Sequence, residues 1–391
     1  MSAHRRAVIV AARRTAVAPR GGALSQLQAD ELAAPVLKDL VGDAALPLDR
    51  VDHVILGNAL YGGGNPARLA ALRAGIPGPV PSMTLDTQCC SGLDAILTGA
   101  QLIEAGAADC VLAGGAESFS RAPIRMRRST APGEEAVPYD RPAFAPPPFE
   151  DPDLSSAAAK IAVRYGLTRK SQTQFAQASH AKALAAAPDL ERHLVGNDDR
   201  MRRRDGFTRR LDLRTGMRAP LLAGPEEFGL SAATIACEAD GAAGVLLMSD
   251  CMASTLSRTG LLILGGMRKG GDPNDPALVP VAAAKALLSR LNMTVADLAA
   301  VELMEAYASQ AMATVNDLSL DTARLNQLGG ALARGHPIGA SGAILVVQLF
   351  EFLRTRENAT EAAQDRAMAL IAAAGGLGSA LVVERFRSKD G

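Results

Sequence analysis

The sequence is poor in aromatic residues. Among its 391 residues it has no tryptophan, four tyrosines and nine phenylalanines, so aromatic residues make up 3% of the chain. Alanine and glycine are abundant instead, which predicts a core of small side chains in which helices pack close to sheets. Long apolar runs are missing as well, since no stretch approaches the roughly 20 apolar residues of a membrane-spanning helix. We therefore expect no membrane span.

The chain also has no excess of charge of either sign. Lysine plus arginine number 41, and aspartate plus glutamate number 41, which gives a formal net charge of zero. Without a net positive field, the protein as a whole attracts neither nucleic acid nor an anionic membrane. The expected partner is a small molecule or another protein.

Cysteine is sparse, and its arrangement excludes two kinds of site. The five cysteines are an odd number, form no C-x-x-C pair and have no histidine at metal-ligand spacing. We therefore predict neither a disulfide framework nor a metal site, and a reducing cytosol fits best. The apolar run at 7–12 is too short for the core of a secretory signal and is followed by Arg13 and Arg14. We expect a cytoplasmic protein.

Alternating short apolar runs and amphipathic segments predict an α/β fold. Strands are predicted at 7–11, 53–57 and 110–114, where near-continuous apolar runs are typical of strands covered on both faces. Between them, residues 24–40 and 92–105 have apolar residues at helical spacing.

One sequence pattern occurs twice: a Ser-Gly pair, a predicted helix, a predicted strand and a Gly-Gly pair. The first copy runs from Ser91-Gly92 to Gly114-Gly115, and the second runs from Ser341-Gly342 to Gly375-Gly376. Each copy has a predicted helix and then a buried strand between its two ends. The second helix and strand are predicted at 344–355 and 367–371. The repetition predicts two similar halves whose helix starts face a shared site.

A segment of different character separates the halves. Residues 121–152 are rich in proline and arginine and have little apolar periodicity. Helices are predicted at 154–165 and 170–187, before a charged patch at 198–204. We interpret 121–232 as an inserted loop domain or lid. The predicted halves are then 1–120 together with about 233–265, and 266–391.

Two residues far apart in the sequence carry the candidate chemistry. Cys89 lies where a short run gives way to a helix, and the positive end of a helix favours thiolate over thiol. His336 lies in a glycine-rich turn, a setting suited to a base or an oxyanion donor. Together they suggest covalent acyl transfer. The alternatives are a buried, inert Cys89 and a His336 that only stabilises its turn, and packing is the expected role of the other four cysteines.

The sequence resembles the thiolase family over nearly its entire length. Cys89-Cys90-Ser91-Gly92-Leu93, Asp240-Gly241-Ala242-Ala243 and Gly335-His336-Pro337-Ile338-Gly339 are among the segments that carry the resemblance. The other matching segments are 8–15, 57–60, 65–68, 114–118, 302–308 and 329–332. This many segments in the same order make a chance match implausible.

The resemblance implies a fold, a substrate class and residue roles. The fold would be two pseudo-symmetric five-layered α/β/α/β/α halves with an inserted loop domain over the acyl carrier, assembled as dimers or tetramers. No cofactor would be tightly bound, because CoA or acyl-CoA, or an acyl-carrier thioester, is the substrate. Cys89 would take the acyl group, and His336 would activate it. The backbone N–H groups of Cys89 and Ala374 would form an oxyanion hole.

Three departures from the family pattern bear on the reaction. Ala372 replaces the second cysteine, which in the family transfers a proton at carbon, and Met304 replaces the asparagine of the N-E-A-F segment. Ala236 and the segment 153–155 stand where the family contacts the pantetheine arm of the coenzyme. The resemblance therefore implies an atypical acyltransferase with weak 3-ketoacyl-CoA thiolysis.

The acceptor of the acyl group stays open at this point. It could be activated by loss of carbon dioxide from a malonyl-type thioester, or it could be an oxygen, nitrogen or water nucleophile. A catalytically silent subunit that binds an acyl carrier or partner enzyme is the alternative function. A third hypothesis is that a partner chain supplies the missing proton-transfer group.

Overall fold

The computed structural model describes residues 5–61, 63–139, 141–196, 204–355 and 365–387. Of the charged patch predicted at 198–204, all but Arg204 lies outside these residues. The strands are β1 (Ala7–Arg14), β2 (Ala18–Pro19), β3 (His53–Gly57), β4 (Ser82–Leu85), β5 (Cys110–Ser118), β6 (Met126–Arg127), β7 (Val137–Pro138), β8 (Leu221–Ala223), β9 (Leu230–Ser231), β10 (Ala239–Ser249), β11 (Gly260–Gly270), β12 (Ala300–Leu303), β13 (Arg366–Ala373) and β14 (Leu377–Phe386). The helices are α1 (Ala29–Asp43), α2 (Pro66–Arg73), α3 (Ser91–Glu104), α4 (Leu154–Arg164), α5 (Arg169–Leu190), α6 (Leu213–Met217), α7 (Asp250–Thr255), α8 (Val279–Arg290), α9 (Ala308–Leu318), α10 (Ala331–Arg334) and α11 (Ile338–Arg354).

The main strands form one mixed sheet in the order β12-β13-β14-β11-β1-β10-β5-β3-β4, with β2 attached to β10. Parallel pairing joins β12 to β13, and joins β3 to both β4 and β5, whereas the strands between are antiparallel. Helices α3 and α11 each lead into the strand that follows them, β5 and β13. The two halves therefore repeat one arrangement, in agreement with the repeated sequence signals.

The halves meet along a short seam between β1 and β11. Only Val8 with Leu262 and Ile9 with Leu261 are paired there among the described residues. β11 is otherwise paired with β14 along its whole length. The predicted domain boundary at 265 falls within β11, and the division into domains stays a prediction.

Five layers run α/β/α/β/α through the described parts of the molecule. One apolar cluster joins α1 and α2 to the outer face of the first half's strands, which include β1, β3, β5 and β10. Another joins α8 and α9 to the outer face of the second half's strands, which include β12, β13 and β14. The central cluster contains α3 and α11 between the two sets. The predicted five layers are thus present, but they belong to the two halves together, because both halves share the middle helix layer.

The inserted segment covers one side of the second half. α4 packs on α9, and α5 packs on α9 and α10. Polar contacts fix this position, since the Ser309 hydroxyl donates to the Ala158 carbonyl at 2.9 Å and the Ser179 hydroxyl donates to Glu305 at 2.7 Å.

Two predicted helix starts are wrong by several residues. α1 begins at Ala29 and not at residue 24, because Glu31 accepts a hydrogen bond from the Gln28 N–H at 2.9 Å and starts the helix there. α11 begins at Ile338 and not at residue 344, because Pro337 fixes the backbone before it and its carbonyl accepts the first helical hydrogen bonds. Within the described ranges, no helix combines the length and apolarity that crossing a bilayer requires.

Candidate active site

Cys89 lies in a tight turn between β4 and α3. Gln88 has a positive φ of 54° although it is not a glycine. The Ser91 hydroxyl closes the turn, because it accepts from the Thr87 N–H at 2.9 Å and donates to the Gln88 carbonyl at 2.6 Å. A left-handed non-glycine residue costs on the order of 1–3 kcal/mol and persists only where its surroundings hold it. The turn therefore holds Cys89 immediately before α3, partly exposed, whereas Cys90 is fully buried.

His336 lies in the corresponding turn before α11. Gly335 has a φ of 108°, which favours glycine, and the His336 N–H donates to the Cys237 carbonyl at 2.8 Å. Further along the turn, the Gly339 N–H donates to the buried carboxylate of Glu117 at 3.0 Å. Glu117 belongs to β5, so this contact ties the histidine turn to the half of the molecule that carries Cys89.

Glycines allow the two turns to meet. A Cβ atom added to Gly115 would lie 1.8 Å from the Gly339 carbonyl oxygen, and one added to Gly92 would lie 2.6 Å from the same oxygen. The start of α11 therefore rests directly on the backbones of β5 and α3. This close approach is what the Ser-Gly and Gly-Gly signals of the sequence provide.

The two candidate side chains are in contact. Nε2 of His336 lies 3.2 Å from Sγ of Cys89. On the other side of the ring, Nδ1 lies 2.7 Å from the Ser341 hydroxyl, which donates to the Pro337 carbonyl at 3.0 Å. Because the hydroxyl hydrogen is used by Pro337, Ser341 accepts a hydrogen bond from Nδ1–H. The Nε2 lone pair then faces the thiol, which is the arrangement of a general base.

The thiol is a weak acid in this environment. Burial raises the pKa of Cys89 to about 12, although the backbone N–H groups of Ala374 and of Cys89 itself favour the thiolate. The negative charges of Glu117 and Asp86 raise it further. The sequence-based expectation of a thiolate favoured by the helix start is therefore wrong, because the burial of the sulfur outweighs the dipole and the N–H groups.

The ring is neutral at physiological pH. Burial lowers the pKa of His336 to about 4, because a charged ring would lose its hydration there. The resting pair is consequently a neutral thiol beside a neutral imidazole. Such a pair forms the nucleophile only when the proton moves to Nε2 as sulfur attacks.

The other predicted positions are arranged as follows. The N–H of Ala374 is directed at the Cys89 sulfur, as an oxyanion donor would be. Ala372 is partly exposed in β13, opposite Gly378 of β14. Met304 is only 2% exposed and packs in the same central cluster that Cys89 borders. Ala236 also borders this cluster, and its N–H donates to the Ala306 carbonyl at 2.9 Å.

Sequence reasoning did not assign a role to three residues that the geometry makes prominent. Ser341 orients the ring, Glu117 holds the histidine turn, and Tyr307 lies beside Ala306 with its hydroxyl 3.4 Å from that of Ser155. Only Glu117 could have been recognised from the sequence, because a carboxylate at the end of an otherwise apolar strand needs buried hydrogen-bond donors. Burial raises the pKa of its carboxyl to about 7.

The role of Ser341 leads to a specific expectation. Ser341→Ala should slow acylation of Cys89 about fivefold, since one neutral hydrogen bond is worth about 1 kcal/mol and the ring loses the contact that selects its tautomer. Stopped-flow or quenched-flow acylation with acetyl-CoA measures this. An unchanged rate in a folded variant would contradict the orienting role, and Ser341→Thr, which keeps the hydroxyl, serves as the control.

One sizeable cavity lies away from this site. It has a volume of about 590 Å³ and opens where β1 and β11 separate beyond their short seam. Its walls contain His193, Phe350 and five arginines, whose numbers are 13, 192, 354, 385 and 387. Neither Cys89 nor His336 lines it, so its size does not bear on the candidate chemistry. Within the described ranges, no group of three or more acidic, histidine or cysteine side chains is arranged to hold a metal ion.

Known protein families match nearly the whole chain. The family model "Thiolase, N-terminal domain" matches residues 7–251, and "Thiolase, C-terminal domain" matches residues 262–385. Two relatives bear the name "Putative acetyl-CoA C-acetyltransferase". VraB of Staphylococcus aureus (strain MRSA252) is 34% identical, and YhfS of Bacillus subtilis (strain 168) is 36% identical; each match covers 97% of this chain and 99% of the relative.

Two solved structures are similar to this chain over nearly its whole length. The acetyl-CoA acetyltransferase of Bacillus anthracis superposes with a TM-score of 0.90 at 28% identity, covering 99% of this chain and all of that one. Human mitochondrial 3-ketoacyl-CoA thiolase in complex with CoA gives 0.87 at 27% identity, covering 98% of both chains. With both family models matched in order and the fold shared from end to end, this chain belongs to the thiolase family.

Proposed function

We propose that the protein is an acyltransferase that takes an acyl group from acyl-CoA onto Cys89 and passes it to an acceptor. The observation that carries this proposal is the 3.2 Å contact between Nε2 of His336 and Sγ of Cys89, with Nδ1 held by Ser341. A thiol beside an oriented neutral imidazole is the arrangement that nucleophilic catalysis by cysteine requires.

The first half-reaction uses groups that already surround the sulfur. Sγ attacks the thioester carbonyl carbon while its proton passes to Nε2 of His336. The negative charge that forms on the carbonyl oxygen is stabilised by the backbone N–H groups of Cys89 and Ala374. The bond from the carbonyl carbon to the CoA sulfur then breaks, and CoA leaves with the proton from His336. The product is an acyl thioester on Cys89.

The second half-reaction is where this chain differs from its family. Ala372 has no proton to transfer, and the thioether of Met304 donates no hydrogen bond. A carbon acceptor that needs deprotonation is therefore disfavoured. The acceptor is an already activated carbon, or an oxygen, nitrogen or water nucleophile. Ordinary thiolysis of a 3-ketoacyl thioester is slow on the same grounds.

CoA is the proposed acyl carrier. The structural relative from human mitochondria is bound to CoA, and the one from Bacillus anthracis is an acetyl-CoA acetyltransferase. Ala236 and Ser155 lie on the side of the site next to Tyr307, where the inserted segment meets the second half. We propose that the pantetheine arm enters between these elements.

We further propose that the protein forms a homodimer or tetramer in the cytoplasm. β4 is the last strand in the described part of the sheet, and the adjacent helix α2 leaves Leu69 and Leu72 each 48% exposed. A second copy paired along β4 would cover this apolar surface. All five cysteines are free, and the nucleophile must stay reduced, which suits a reducing compartment.

The proposal is tested by intact-mass spectrometry after incubation with acetyl-CoA. We expect a mass increase of one acetyl group that peptide mapping assigns to Cys89 and that is absent from Cys89→Ala. Cys251→Ala is the matched control, because Cys251 is an exposed free thiol whose loss should leave the adduct unchanged.

The opposite result has a clear meaning. If no acyl-CoA across chain lengths modifies Cys89 in the folded protein, the acyltransferase proposal is wrong. The catalytically silent subunit that binds an acyl carrier or a partner enzyme then takes its place.

A further inference from the structure

Asp94 is a buried carboxylate in the first turn of α3, the helix that follows Cys89. Its Oδ2 accepts a hydrogen bond from the Thr87 hydroxyl at 2.7 Å. Its Oδ1 accepts from the Ser379 hydroxyl at 2.7 Å and from Nε of Arg268 at 3.0 Å. A buried carboxylate needs donors to replace its lost hydration, and hydrogen bonds to a charged group are stronger than neutral ones. Asp94 therefore holds these three side chains firmly.

Two of the donors come from the sheet of the second half. Ser379 in β14 is paired with Arg268 in β11 on one side and with Ile371 in β13 on the other. The Ile371 carbonyl also contacts the start of α3, because it accepts from the Cys90 thiol at 3.6 Å. One row of residues across three strands is thus joined to the first turn of α3.

The third donor belongs to the turn that carries the nucleophile. The Thr87 N–H donates to the Ser91 hydroxyl at 2.9 Å, and the Thr87 carbonyl accepts from the Cys90 N–H at 3.2 Å. Thr87 is therefore a fixed part of the turn around Cys89. Through its hydroxyl, this turn is connected by way of Asp94 to the sheet of the second half.

The two donors of the proposed oxyanion hole lie at opposite ends of this connection. The Cys89 N–H belongs to the turn, and the Ala374 N–H belongs to the hairpin between β13 and β14. Leu377, the first residue of β14, borders the same apolar cluster as Cys89, so the hairpin lies beside the turn. Donors act on an oxyanion only from about 2.7–3.1 Å. The spacing of turn and hairpin therefore decides whether both N–H groups reach one oxygen.

We propose that Asp94 is a positioning residue for acyl transfer. By holding Thr87 and Ser379 together, it sets the spacing of the two backbone N–H groups, those of Cys89 and Ala374, around the carbonyl oxygen. The inference rests on the proposed function, since it concerns the tetrahedral state that forms on Cys89. Asp94 acts through the two hydroxyls and not by contact with the substrate.

The test compares two reactions of the Cys89 thiol, both followed by intact mass. Acylation by acetyl-CoA passes through a negative oxygen. With iodoacetamide, sulfur displaces iodide from a saturated carbon and the thiol proton passes to Nε2 of His336, so no negative oxygen forms. Thr87→Val should slow acylation about tenfold, the lower end of what a hydrogen bond to a charged group contributes. Its alkylation rate should equal that of the wild type.

Two variants serve as controls. Thr87→Ser keeps the hydroxyl and should react like the wild type. Thr98→Val makes the same chemical change at a matched place, because the Thr98 hydroxyl donates to the Asp94 carbonyl at 2.7 Å and accepts from Arg268 at 2.8 Å. It leaves the connection between turn and hairpin intact, so both of its rates should be unchanged.

A double variant tests whether the two hydroxyls act through one connection. Ser379→Ala breaks the other end and should also slow acylation about tenfold with unchanged alkylation. A connection that is broken at one end is already lost, so Thr87→Val combined with Ser379→Ala should still be only about tenfold slower. Two independent roles would instead multiply to about 100-fold.

Three results would overturn the inference. One is equal slowing of acylation and alkylation, because Asp94 would then support the thiol and its base or the fold as a whole. The others are unchanged acylation in both single variants and a multiplied effect in the double variant. Failure of the proposed function looks different: iodoacetamide then modifies wild-type Cys89 while no acyl-CoA does, and the role of Asp94 is refuted with it.

Discussion

Replacing His336 with alanine is expected to slow acylation of Cys89 by acetyl-CoA about 10²- to 10⁴-fold, the usual contribution of a positioned general base. With a pKa of about 12, the thiol is almost wholly protonated at neutral pH and needs an acceptor for its proton. Nε2 of His336 lies 3.2 Å away and is the acceptor that we propose. Single-turnover mass spectrometry measures the rate.

The pH dependence separates this role from a structural one. The wild-type rate should be nearly flat from about pH 6 to 9, since the imidazole pKa of about 4 keeps the base available and the thiol does not titrate in this range. Below about pH 5 the rate should fall as His336 becomes protonated and can no longer accept. In His336→Ala, the acylation rate should instead rise about tenfold per pH unit from about pH 6 to 9, because only preformed thiolate reacts.

Two results would contradict the assignment. One is a wild-type rate that rises through pH 8–9 like that of an ordinary thiol. The other is a His336→Ala variant that keeps a flat profile. His193→Ala is a poor control because His193 is buried in contact with Glu351, whereas His53→Ala changes a partly exposed histidine outside the site.

The second large effect is a gain of activity. Ala372→Cys is expected to raise thiolysis of acetoacetyl-CoA about 10²-fold or more, because it supplies the proton-transfer group that carbon–carbon cleavage needs. In that reaction Cys89 attacks the keto carbon, the bond to the α carbon breaks, and the leaving enolate takes a proton from the introduced thiol. Ala372 is partly exposed and faces Gly378 in the neighbouring strand, so one added sulfur atom can be accommodated.

The measurement is the loss of acetoacetyl-CoA absorbance with CoA as the second substrate. Ala372→Ser is the matched control, since its hydroxyl has a similar size but is a far weaker acid, and it should gain much less. If Ala372→Cys acylates Cys89 normally and yet gains no thiolysis, the absence of this group is not what limits the reaction. Wild-type turnover as fast as that of a common thiolase would equally contradict the inference.

The sequence was sufficient to predict most elements, because their signals are local. Apolar runs of about five residues gave the strands, and Ser-Gly pairs before amphipathic segments gave α3 and α11. The meeting of Cys89 with His336 followed from the family resemblance, and the geometry agrees. The start of α11 was misplaced because Pro337, Ile338 and Gly339 were interpreted as a turn, whereas the helix begins within them.

Properties that depend on the assembled fold could not be predicted in this way. The pKa of Cys89 is set by burial under segments that are distant in sequence, so the local helix-start argument gave the wrong direction. The positive φ of Gln88 has no signal in residue type, because glutamine usually avoids it. The contact of Glu117 with the Gly339 N–H joins residues 222 positions apart and is visible only in the folded chain.

The distance along the chain between Cys89 and His336, 247 positions, has a consequence for biosynthesis. Until residue 336 has been made and has folded against the first half, the sulfur has no imidazole beside it to accept its proton. Acylation of Cys89 assisted by His336 is therefore expected only from a chain that extends past residue 336. A product truncated before that residue would be expected to lack this assisted reactivity, so fast acylation at Cys89 would report that the two halves have folded together.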